Sequence, residues 1–203
     1  MAYAITVEEA TRGMFVAWRL FLRDARATNL IDDSYRGVVK SFWSAALALP
    51  AFALILYLQT GIPSEQTANF GVLAARAGLA NAVGGSLIAY TVTWLAWPLV
   101  MDRVAPALGC DRYYFRYLAA YNWMSAVWWL IMLGYTLLRF TNVIAPDSLN
   151  AFGLGVLIIL WTYHWFVIRA TLGIDGGHAA ALVAVDFMLM SIIDQVGQVV
   201  ALP

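Results

Sequence analysis

A few polar side chains interrupt the otherwise apolar runs of this chain: Asp186 and Asp194 in 178–200, His164 in 150–171, Asn122 in 117–138, and Asn81 at the edge of 81–101. A polar or ionisable group at bilayer depth costs free energy unless it faces protein or water, so each marks a candidate functional position. A helical rise of ~1.5 Å per residue sets their depths. Asp186 follows His178 by eight residues, roughly 12 Å along a helix. His164 precedes Arg169 by five residues and Asn122 follows Tyr117 by five, about 8 Å in each case. The spacing predicts one polar layer of Asn122, His164 and Asp186, with Arg169 a turn below and within reach of Asp186. A carboxylate beside an imidazole in low dielectric suits a proton relay. The same groups also serve as interhelical ties contributing about 0.5–2 kcal/mol each. Asp194, next to Gln195, reads as a hydrated helix end near the opposite interface, and His178 as a helix-start residue. Two histidines at different depths and the single Cys110 do not assemble a metal site, and no cofactor is expected.

The elements that must position these residues are five apolar stretches, at about 39–60, 81–101, 117–138, 150–171 and 178–200, each near the ~20 residues that cross a bilayer's hydrocarbon core. Hydrophobic residues make up 63% of the 203-residue chain and charged residues 12%, against about a quarter in soluble domains. Mean hydropathy is +0.74. The expected fold is therefore all-α: a polytopic transmembrane bundle of five spans plus an N-terminal amphipathic interfacial helix. The chain divides into a cytoplasmic N-terminal segment, 1–33, and a five-helix membrane domain, 34–203. A net charge of zero offers no basic surface for nucleic acid.

In the first segment, Thr6 and Glu9 form a capping box that starts a helix at Val7. Positions 8, 12, 19, 23 and 26 make a polar stripe opposite an apolar one at 7, 14, 18, 21, 22 and 25, a pattern unlike the continuous core of a signal peptide. Arg12, Arg19, Arg23 and Arg26 suit anionic headgroups, with the helix lying flat on the membrane surface. The alternative is a helix capping the cytoplasmic end of the bundle. Residues 28–34 then form a polar break, with Asp33 or Ser34 able to cap the first span. Gly61 to Ser64 closes that span. The stretch from Phe70, with Arg76, is either a short extra helix or the start of span two. Breaks at Pro106 and Gly109, at 145–148 and at 173–177 leave short connections between antiparallel neighbours.

Ten of the twelve Lys and Arg fall on one side of the five spans, with only Arg76 and Arg139 on the other. That asymmetry predicts a cytoplasmic N-terminus and an external C-terminus. Small residues Ala80, Gly84, Gly85, Ser86 and Ala89 mark a close helix contact, as do Gly153 and Gly155. Pro50 and Pro98 interrupt the hydrogen-bond ladders of their spans. Trp128, Trp129 and Trp161 fall at mid-membrane, where they fill a core or face a lipid or a partner subunit. The chain contains no phosphate-loop, metalloprotease, dithiol or nucleophile-elbow motif, so no enzymatic activity is expected.

Trp97-Pro98, the arginines from Arg112 to Arg116 and the run Ala120-Tyr121-Asn122-Trp123 accompany this five-span order. Over residues 36–200 the chain resembles the Yip1-like integral membrane proteins and small multi-pass proteins of proteobacteria with the same Tyr-Asn-Trp run. The acidic run that eukaryotic members place before the first span is absent, so the resemblance implies no GTPase partner. It also implies no catalytic residues. The expected role is a non-enzymatic accessory or scaffold contacting lipid, another membrane protein or a second copy. The alternative is a small transporter or proton-coupled channel using Asp186 and His164. A mid-span Asp–His pair lining a cavity favours the transporter, and a Trp-rich face without a cavity favours the scaffold.

Overall fold

The computed structural model describes residues 4–62 and 70–202 of the chain. Pro63 and Ser64, read as the end of the first span, lie outside the described residues. Among the described residues there is no strand, and helices are ordered α1 (Val7–Phe21), α2 (Tyr35–Ser41), α3 (Trp43–Thr60), α4 (Phe70–Ala77), α5 (Leu79–Ala107), α6 (Tyr114–Phe140), α7 (Pro146–Leu172) and α8 (Gly176–Ala201). Five helical units are long and apolar enough to cross a membrane: α2 with α3, then α5, α6, α7 and α8. The expected five-span, all-α membrane fold is borne out. The spans run a few residues longer than the apolar stretches because polar caps and aromatic ends continue each helix beyond its apolar core.

The caps follow the sequence signals. Thr6 and Glu9 cap α1 reciprocally, Ser34 accepts from the Gly37 N–H, and Asp175 accepts from the N–H groups of Gly177 and His178. Pro146 occupies the first turn of α7, where its missing N–H costs nothing. The His178 ring also holds the Asp175 carboxylate, which together with the backbone N–H groups brings that carboxyl down to about 2. Gly173 ends α7 in the left-handed conformation, at φ 70°. The stretch from Phe70 is a separate helix, α4, because Gly78 at φ 82° turns the chain before α5 begins.

Helix α1 is amphipathic, and one of its apolar faces packs on the bundle. Its Gly13, Val16, Ala17 and Leu20 face is buried against α6 and α7. Gly13 lies so close to Trp123 that an added Cβ would sit 2.1 Å from the indole. Tyr163 donates to the Ala17 carbonyl at 2.6 Å. Lys40, its side chain 8% exposed, pairs with Glu9 and ties α1 to the first span. The Lys40 ammonium is the main reason the Glu9 carboxyl is pulled down to about 2, so the Glu9 carboxylate stays ionised near neutral pH. A second apolar stripe, Phe15, Trp18 and Leu22, remains exposed.

Helices α5 and α8 approach through glycine. A Cβ on Gly85 would lie 2.4 Å from the Gly197 carbonyl oxygen, and one on Gly197 would lie 2.8 Å from Ala89 Cβ. The small-residue face read on span two is thus a helix contact. Gly153 makes the corresponding approach to Tyr135, whereas Gly155 has open space beside it.

Candidate functional site

Asp186 sits on the inner face of α8 and is 9% exposed; His164 on α7 is 2% exposed. Their side chains meet, His164 Nδ1 to Asp186 Oδ2, at 3.3 Å. The carboxylate–imidazole pair expected from the sequence is present. Two tyrosines of α6 complete it. Tyr121 donates to Asp186 Oδ1 at 3.3 Å, and the Tyr117 hydroxyl lies 3.3 Å from His164 Nε2. Trp97 of α5 donates its indole N–H to the Tyr117 oxygen at 2.6 Å.

The direction of this chain follows from the donor inventory. A carboxylate only accepts, so the hydrogen shared with Asp186 sits on His164 Nδ1. Nε2 is then the lone-pair nitrogen and accepts from the Tyr117 hydroxyl, whose oxygen accepts from the Trp97 indole N–H. The tautomer is thus assigned by the network. Asp186 is the common end, accepting from His164 on one oxygen and from Tyr121 on the other. Each hydrogen bond to a charged group is worth about 1.5–3 kcal/mol, which offsets part of the cost of a carboxylate at this depth.

Two residues expected in this layer are elsewhere. Asn122 is fully buried but faces α2, donating to Ser41 Oγ at 2.8 Å, and its Oδ1 has no partner. Successive residues on a helix point ~100° apart, so it is Tyr121 that reaches Asp186. Arg169 is exposed and lies over the Trp165 ring at 4.8 Å. Five residues from His164 is about 140° round the helix, which carries the guanidinium away from Asp186.

The four arginines read as a headgroup-binding stripe are also divided. Arg12 pairs with Glu8 at 3.2 Å on the exposed face. Arg19 pairs with Asp24, and Arg23, itself exposed, reaches across to Thr162 Oγ1 at 2.8 Å and the Phe166 ring. Arg26 gives its backbone N–H to Asp24.

Asp186 and His164 open on a cavity of about 340 Å³ bounded by all five spans and α4. Along α8 its wall is Val183, Asp186, Phe187, Met190, Asp194 and Gln198, a stripe that recurs every three or four residues. Asp194 is exposed and bonded to Gln198 at 2.7 Å, so the cavity opens to the protein surface at that end. Beyond His164 toward α1, the bundle is filled by Trp97, Met101, Tyr117, Tyr163 and Val167, each with no measurable exposure. Trp128, Trp129 and Trp161 line the cavity. Tyr117, Tyr121 and Trp97 were not singled out from the sequence for this site, although Tyr117 and Tyr121 stand four apart on one helix face. Among the described residues no three His, Cys, Asp or Glu side chains gather as a metal site.

The fold and the site define a class: a five-span α-helical membrane protein with an acidic, histidine-paired cavity between its helices. Comparison of the chain with protein-family models, curated proteins and solved structures gives no match.

Proposed function

We propose that the protein is a small proton-coupled carrier, in which Asp186 and His164 bind a solute or a proton at the base of the cavity. The observation that carries this reading is the pair itself, hydrogen-bonded and opening on a largely apolar space among five membrane-crossing helices. An ionisable group inside the membrane-crossing helices is costly and marks a path for a proton or substrate, and the cavity beside Asp186 gives that path room. The test is proton movement in proteoliposomes holding an internal pH-reporting dye, challenged with separate pools of small organic cations, anions and neutral solutes. At least one pool is expected to drive proton flux in the wild type and none in Asp186→Asn, which keeps the shape of the side chain. Silence of the wild type toward every pool removes the carrier.

The scaffold reading has one observation of its own, the exposed Phe15, Trp18 and Leu22 stripe on α1, which suits lipid, a second copy or another membrane protein. Kinship with the Yip1-like proteins is proposed on the five-span order and on the residues around Trp97 and Tyr121.

The setting we propose is a bacterial cytoplasmic membrane with the N-terminus inside, on the strength of the ten-to-two distribution of Lys and Arg. A cysteine placed after Pro203 is expected to react with an impermeant maleimide in intact cells. Reaction only after lysis would reverse the orientation.

A further inference from the structure

We infer that the cavity takes a lipophilic organic monocation, held by the Asp186 carboxylate against an aromatic wall. The inference rests on the carrier reading for the use of the site, but its chemistry comes from the lining. The cavity's charged side chains are Asp186 and Asp194, and none of the described lining residues is Lys or Arg. Both nitrogens of His164 are committed, to Asp186 and to Tyr117. An anion entering would meet two carboxylates and no cationic side chain.

Four of the five hydroxyls among the described lining residues point to the same conclusion. Thr93 donates to the Ala89 carbonyl and Ser125 to the Tyr121 carbonyl, both at 2.9 Å. Tyr90 donates to the Ala45 carbonyl at 2.6 Å, and Tyr121 to Asp186. Each of these hydroxyls has used its proton on a protein acceptor, so what it retains for a ligand is lone pairs. Those suit a positive charge.

Much of the remaining wall is aromatic. Phe52 stacks on Tyr90 with centroids 4.5 Å apart and meets Trp129 edge-on at 5.1 Å. Trp94, Trp128 and Trp161 extend this lining. Aromatic faces attract cations, tryptophan most strongly, and do so best away from water. The space of about 340 Å³ lies within the range of small-molecule sites. At its exposed end Asp194 stands eight residues from Asp186, about 12 Å along α8, as an acidic entrance. A neutral ligand of the same shape would leave the Asp186 carboxylate with only its two hydrogen-bond donors, His164 and Tyr121, and no positive charge. Proton and cation therefore compete for one carboxylate, and cation affinity should fall by up to about tenfold per pH unit once that carboxylate titrates.

The experiment uses the full chain in nanodiscs of neutral lipid, with tryptophan fluorescence and calorimetry reading the binding of benzyltrimethylammonium and tetraphenylphosphonium. The comparison ligands are neopentylbenzene, the neutral isostere of the first, and benzenesulfonate. Saturable binding is expected for the cations alone, weaker at lower pH, with Asp186→Asn losing at least about tenfold and Trp129→Leu about fivefold. If Asp186→Asn does not fold, the pH dependence in the wild type and the Trp129→Leu loss decide. Equal binding of the neutral isostere or the sulfonate, or cation affinity indifferent to pH and to both substitutions, overturns the inference. Saturable cation binding without proton flux would uphold it and remove the carrier. Flux driven only by anions or neutral solutes would do the reverse.

Discussion

Replacing His164 with leucine is expected to lower the stability of the folded protein by about 2–3 kcal/mol, because Asp186 loses one of its two donors. The side chains are close in volume, so little of that loss comes from packing. Tyr117 also loses the acceptor for its proton, having already accepted from Trp97. Adding Asp186→Leu in the same chain should recover much of the deficit, since removing both members of a buried polar pair is often close to neutral. Recovery stays incomplete because Tyr121 then lacks its acceptor. The measurement is equilibrium unfolding in mixed micelles of a mild detergent and dodecyl sulfate, carried through a double-mutant cycle. Strictly additive losses would mean that His164 and Asp186 do not interact, and the His164 tautomer assigned through Asp186 would fall with that pair.

An effect of similar size is expected where α5 meets α8. Gly85→Val places a Cβ 2.4 Å from a backbone carbonyl, which no side-chain rotation can relieve. The helices must move apart, with a loss of about 3 kcal/mol. Gly84 is the internal control, since an added Cβ there meets nothing within 4 Å. Gly84→Ala should be neutral or stabilising by up to about 1 kcal/mol through helix propensity. Thermal melting in detergent distinguishes the two. Equal behaviour of the neighbours would show that the α5–α8 approach is not as close as described.

The fold was legible because membrane crossing imposes a single requirement, a long apolar helix, and five stretches meet it. The cap of α1 at Thr6 and Glu9 and the close contact at Gly85 were readable for the same reason: each follows from local chemistry. The site was half legible. Depth along a helix, counted from span ends, correctly brought Asp186 to His164. Depth carries no angle, however, so Asn122 and Arg169 were placed in a layer that their positions round the helix deny them. The angular signal was present in the four-residue spacings Tyr117–Tyr121 and Asp186–Met190–Asp194–Gln198. It was hard to recognise because tyrosine and methionine in a span look like ordinary filling. Helix α1 shows the opposite case. Its amphipathic period was plain, but the choice between lipid and protein for its apolar face depended on Gly13 admitting Trp123, a long-range fit that no local pattern contains.

Cys110 has a consequence for how this protein can be interrogated. It is 3% exposed, its thiol donates to the Ala105 carbonyl at 3.4 Å, and burial pushes its titration up. Alkylation and disulfide exchange need an accessible thiolate, and this sulfur offers neither access nor charge. The chain is therefore chemically silent toward thiol reagents while it remains folded. Its natural sequence serves as the blank for any engineered label, and sudden reactivity of Cys110 becomes a direct report that the junction between α5 and α6 has opened.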